Sequence, residues 1–170
     1  MGFGKAFGFG LLAFIGLNFL FVIISFTISG DLNQLFADIG ANPLILLLIM
    51  FGPIANLPGI VFTSIYSNLA GGITVDTLIT NVGYFLTPFI AALIAGRTGD
   101  SKGGCFGGWF LVSLISAIAL VSLVFINPST LAYYGITVTG STVPLLIIYG
   151  VVNGIFYGCF ALLFAKTEYY

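Results

Sequence analysis

Histidine is absent from this chain, and ionisable side chains of every kind are scarce: its 170 residues hold four Lys or Arg and five Asp or Glu. A soluble domain is about a quarter charged, so this composition belongs in lipid. With no histidine and only two cysteines, the chain lacks the usual ligand sets for zinc, copper or haem, and no cofactor or metal is expected. A serine or cysteine nucleophile would also lack its imidazole base, so the chain is not expected to be an enzyme. Two thiols do not make a disulfide framework. Four basic residues give no surface for nucleic acid.

What is present is apolar: 59% of the residues are hydrophobic. About 20 consecutive apolar residues cross a hydrocarbon core as a helix. Four stretches qualify, at about 6–28, 78–96, 106–126 and 143–165. They predict an all-α, polytopic transmembrane helical bundle forming a single integral membrane domain over 1–170, with no soluble domain. Continuous rather than alternating apolar runs argue against a transmembrane β-barrel. The first stretch is too long for the apolar core of a signal peptide, and no A-x-A-like site follows it, so it is expected to be retained. Ala6 stands where a myristoylation motif needs Ser or Thr.

A fifth apolar segment, 44–66, is interrupted. After Pro43 and a run of Leu and Ile come Gly52, Pro53, Asn56, Pro58 and Gly59, which remove backbone donors and loosen the helix. Each arm, about eight residues or roughly 12 Å long, spans less than half of a core about 30 Å thick. The segment is therefore either re-entrant or a kinked full span. The positive-inside rule favours the first. Four spans plus a re-entrant segment put Lys5, Arg97, Lys102 and Lys166 on one side and Asp31, Asp38 and Asp76 on the other. Five spans would move Lys5 across. A break at membrane depth needs partners for its exposed backbone, and Asn56 is the side chain placed to help. A hairpin at headgroup level would leave that backbone to water.

Gly150, Gly154 and Gly158 form a G-x-x-x-G-x-x-x-G stripe on the last helix, where spacing of four lets another backbone approach closely. Asn153 and Tyr157 flank it. The partner is either another helix of this chain or another subunit. Weaker small-residue pairs recur at Gly4/Gly8, Gly103/Gly107, Gly104/Gly108, Ser113/Ala117 and Ala92/Gly96. Pro88 is expected to kink the second span and free the carbonyl of Tyr84, with Thr87 placed to adjust the defect. Trp109, Tyr133, Tyr134, Tyr169 and Tyr170 are expected at membrane interfaces.

The one charge cluster, 97–104, resembles a phosphate loop only superficially, because the glycine before Lys102 is missing. It predicts a short basic turn where Arg97 and Lys102 contact anionic lipid headgroups or a subunit. Cys105, close to that turn, is positioned for palmitoylation. The predicted span interiors hold no Asp, Glu, Lys or Arg, which argues against a proton-driven pump. The polar candidates within them are Asn18, Asn56, Asn81 and Asn153, for which hydrogen bonding between helices is the expected role.

These features predict a non-catalytic integral membrane subunit that packs or scaffolds a larger assembly. Its partners would be membrane lipids and other membrane subunits or copies of itself, in a plasma membrane with both termini cytoplasmic. The alternative is a small-solute or ion channel or carrier formed by an oligomer, with 52–59 lining the pathway.

Overall fold

The computed structural model describes residues 2–133 and 135–165. Tyr134, Lys166, Tyr169 and Tyr170 lie outside the described residues. In chain order the helices are α1 (Gly2–Ser29), α2 (Leu32–Ala41), α3 (Ile45–Phe51), a 3-10 turn (Gly52–Ala55), α4 (Pro58–Gly71), α5 (Val75–Thr98), α6 (Lys102–Ile126), α7 (Pro128–Ala132) and α8 (Thr142–Leu163). Among them α1, α5, α6 and α8 are long and apolar enough to cross a membrane. The four expected spans are therefore present; α1 and α5 extend past their apolar runs at both ends and α6 at its start, while α8 ends at Leu163, short of residue 165. Asp76 sits in the first turn of α5 and Arg97 in its last, as the helix dipole favours. Ser101 starts α6 as an N-cap, its Oγ accepting from the Gly104 amide at 3.1 Å.

Close contacts fix the direction of each helix. Gly2 is packed against Asp100, in the turn between α5 and α6, so α1 begins at the end where α5 finishes. At the opposite end, the Ser25 hydroxyl donates to the Asp76 carbonyl at 3.0 Å. There α1 finishes and α5 begins. Asn42, just before α3, donates to Thr130 Oγ1 of α7 at 2.9 Å, which places the entry of α3 at this same end. The segment between α1 and α5 thus enters and leaves at one end of the bundle.

In between, α3 with its 3-10 turn meets α4 at 94°. Gly52, Pro53, Ile54 and Pro58 are buried, and Ile54 packs in the core with Leu48, Trp109 and Tyr157. Phe62 of α4 meets Phe85 of α5 with ring centroids 4.6 Å apart, and three residues join Gly71 to Val75. The arm therefore returns along α5. This is a re-entrant hairpin whose tip lies deep in the bundle, and neither the kinked full span nor the headgroup-level hairpin fits these contacts.

Lys5, Arg97 and Lys102 share one end, while Asp31, Asp38 and Asp76 share the other. The latter carries two helices that apolar length alone did not reveal, α2 and α7. Leu35 of α2 is buried with Val22, Ile45 and Ile49, and Tyr133 beside α7 donates its hydroxyl to Asp38 Oδ2 at 3.1 Å.

The centre of the bundle is filled by large side chains. Trp109, expected at an interface, is fully buried, because it lies on the face of α6 turned to α1 and α8. Phe14 and Tyr157 meet it edge-on, with centroids 5.9 and 6.1 Å away. Pro88 is buried inside α5, which continues as one α-helix through it.

The shared end of the basic residues predicts a labelling pattern. In sealed, uniformly oriented vesicles, an impermeant amine reagent should modify single-lysine variants at Lys5 and Lys102 from the same side. Modification of the two from opposite sides would contradict the re-entrant arrangement.

Candidate functional site

Proline explains why the hairpin tip needs outside help. The α-helical pattern continues through Gly52, whose amide donates to the Leu48 carbonyl. The next donor in the series would be the amide of residue 53, and proline has none. The Ile49 carbonyl is thereby orphaned. The side-chain amide of Asn18, fully buried on α1, donates to it.

The second break is completed from α8. Helical structure stops at Ala55, and Asn56 is extended, so no later amide of the same helix returns to the last carbonyls. Asn153, in the middle of α8, directs its Nδ2 to the carbonyls of Ile54 at 3.2 Å and Asn56 at 3.1 Å. It also lies 2.9 Å from the Tyr149 carbonyl within its own helix. The Asn153 carbonyl in turn accepts from Trp109 Nε1 at 3.4 Å. Two asparagines on two spanning helices therefore hold the tip at depth. Asn56 takes part through its backbone carbonyl rather than, as expected, through its side chain. Gly59 opens α4 and is exposed.

Two buried oxygens near this level remain unpartnered among the described residues: Asn18 Oδ1 and Thr87 Oγ1. The packing of Gly10 on Ala91 and Ala95, and of Phe21 on Gly83, sets α1 antiparallel to α5 and brings Asn18 to the height of Thr87. Thr87 does not make the expected adjustment beside Pro88. Asn81 is half-buried and lines a polar pocket of about 280 Å³ at the acidic end, with Asp31, Asp76 and the hydroxyls of Ser25, Ser29 and Thr80.

The glycine stripe of α8 is occupied within the chain. A Cβ at Gly150 would lie 2.5 Å from Ala117 Cβ, and one at Gly154 or Gly158 would lie 2.6 Å from the ring of Phe110 or Phe106. All three glycines face α6, and Ser113 of α6 donates to the Gly150 carbonyl at 2.7 Å. The other pairs divide in two. Gly108 receives Ala6 and Phe7 of α1, and Gly96 meets the Ala161 backbone. Gly4 and Gly8 have no neighbour on their open side, nor has Gly16 further along α1.

At the basic end, Arg97 and Lys102 are exposed, and no carboxylate among the described residues lies within ion-pair distance of either. Cys105 does not suit acylation: it is fully buried, its thiol donating to the Gly96 carbonyl at 3.2 Å. Cys159 is exposed. No three Asp, Glu or Cys side chains gather into a metal site among the described residues.

Chemically, the arrangement offers neutral donors and acceptors, most of them spent on structure. Comparison with protein-family models, curated proteins and solved structures finds no match to the chain.

Sequence reasoning named both asparagines but missed what they bind. The signal was present, since a proline at position 53 orphans the carbonyl four residues earlier. It identifies Ile49 as an acceptor, although not the helix that supplies the donor.

The coupling between proline and asparagine is measurable. Asn18→Leu should destabilise the protein by about 1–2 kcal/mol in reversible detergent unfolding. In a Pro53→Ala background, where residue 53 regains its amide, the same substitution should cost less. Equal costs in the two backgrounds would show that Asn18 does not serve the orphaned carbonyl.

Proposed function

We propose that this chain is a non-catalytic integral membrane subunit that packs or scaffolds a larger assembly. Its basic end would face the cytoplasm of a plasma membrane, as the positive-inside rule favours, placing both ends of the described chain on that side. Its partners would be copies of itself or other membrane subunits. One observation carries this reading: α1 turns an unfilled groove of about 460 Å³ outward, lined by Gly4, Lys5, Gly8, Phe9 and Leu12. Outward glycines add little contact with lipid tails. They do let a second helix approach closely, and close contact drives helix pairing where lipid competes equally for greasy surface. The inward glycines of α8, by contrast, are already filled by α6 and offer nothing to a partner.

A second reading, a pathway for a small solute or ion lined by the broken segment of several copies, draws support from α4. The returning arm presents Gly59, Thr63, Ser64 and Ser67 around an open groove of about 330 Å³. Facing one another in an oligomer, these hydroxyls would form a polar wall. Asn56 and Asn153 are less suited to line it, since one is half-buried and the other is enclosed in the core.

Contrasting glycine variants test the first reading. A Cβ at Gly8 meets nothing within 4 Å, so Gly8→Leu should leave the fold intact while shifting the native-mass-spectrometry distribution from complex to lone chain. Gly154→Leu drives its side chain into Phe110 and should cost about 1–3 kcal/mol of fold stability. A Gly8→Leu protein that assembles like the unmodified chain would sink the α1 interface. For the second reading, solute flux in proteoliposomes should vanish with Thr63→Leu while assembly persists. Proteoliposomes of the unmodified chain with no flux above empty vesicles would end that reading.

A further inference from the structure

Groove shape and charge coincide at one further place. Along the outer face of α5, Ile90, Leu93 and Ile94 floor an open groove of about 380 Å³, with Phe164 at the end of α8 as its wall and Arg97 and Thr98 at its mouth. The groove opens toward the basic end of the bundle. The Arg97 guanidinium stands 5.9 Å from the centre of the Phe164 ring, a cation–π distance that draws the side chain over the mouth. No carboxylate lines the groove, and none among the described residues pairs with Arg97. The Thr98 hydroxyl at the mouth donates back to the Ile94 carbonyl at 2.8 Å.

We infer that this groove is a binding site for one anionic phospholipid. An acyl chain lies along Ile90, Leu93 and Ile94, and the headgroup phosphate sits on Arg97. Two turns of helix separate Ile90 from Arg97, roughly 10 Å at 1.5 Å per residue, so the chain's upper part lies against apolar side chains while its phosphate stays at headgroup depth. Guanidinium suits this task, since its planar fork of donors matches phosphate oxygens. A zwitterionic lipid fits the same floor but brings its own cation to the arginine. The site is thus selective by charge at the mouth and retentive by apolar contact below. It is independent of the α1 groove and of the assembly proposed above.

The test uses the full chain purified in mild detergent, titrated with phosphatidylglycerol or phosphatidylcholine and followed by native mass spectrometry. Phosphatidylglycerol should give one preferentially retained adduct. Arg97→Gln should weaken that adduct about fivefold, the contribution of one basic residue beside an anionic lipid, and leave phosphatidylcholine binding unchanged. Arg97→Lys should retain part of the preference. Ile94→Trp, which fills the floor without touching the charge, should remove the preferred adduct as well. Soluble glycerol phosphate, a headgroup without chains, should not displace it. Equal retention of the two lipids, an unchanged adduct in Arg97→Gln, or displacement by glycerol phosphate would each overturn the site.

Discussion

A carbonyl deprived of its amide partner at membrane depth cannot turn to water, and the rest of this structure is arranged around that constraint. An unsatisfied backbone group in hydrocarbon costs several kcal/mol, more than most single contacts contribute. Pro53 creates such a group at Ile49, and the end of the 3-10 turn creates two more at Ile54 and Asn56. Asn18 and Asn153 supply the missing donors from opposite partners of the hairpin, α1 and α8. The asparagines therefore fix depth as well as polarity. A hairpin tip held by donors in the middle of two spanning helices cannot slide toward the surface without orphaning its carbonyls again.

Those donors reach the tip only because the surrounding helices approach closely. Helix α6 is central to that approach. It receives Ala6 and Phe7 against Gly108, sets Ala117 against Gly150, and lays Phe110 and Phe106 over Gly154 and Gly158. Small residues on one helix and bulky or small ones on the next alternate along both contacts, so each crossing is filled. Trp109 then spans the space between α1 and α8, its ring edge-on to Phe14 and Tyr157 and its N–H on the backbone of Asn153. Packing and polar satisfaction thus meet at one residue of α8, and loosening one loosens the other.

The spanning helices were legible from hydropathy because lipid demands length and apolarity and little else. The proline and glycine interruption left the segment 44–66 either re-entrant or kinked, and the placement of four basic residues only leaned toward the first. Depth was not legible, since a headgroup hairpin and a buried one share the same composition. It depends on which side chains face the tip, a property of Asn18 and Asn153 in three dimensions. Trp109 was misplaced for a related reason: a tryptophan near a helix start suits an interface belt or a core equally well, and the face it occupies decides. The stripe on α8 announced close packing, yet nothing in its spacing distinguishes a neighbouring helix of the same chain from another subunit. Helices α2 and α7 escaped because short end-lying helices leave no long apolar run.

Filled and open small-residue faces give the molecule its directionality. Within the bundle each glycine that faces a neighbour is met by a side chain or backbone at contact distance, as at Gly83, Gly96, Gly108 and Gly150. Outside it, Gly4, Gly8 and Gly16 on α1 and Gly59 on α4 meet nothing within 4 Å. Helix propensity gives no reason to place glycine on such faces, where it costs about 1 kcal/mol relative to alanine. A chain whose interior is closed by its own packing, and whose outer faces retain that cost, has its unused capacity for close contact on the outside. The proposed assembly draws on that distribution, and the alternative, a pathway between copies, would draw on Thr63, Ser64 and Ser67 along the groove of α4.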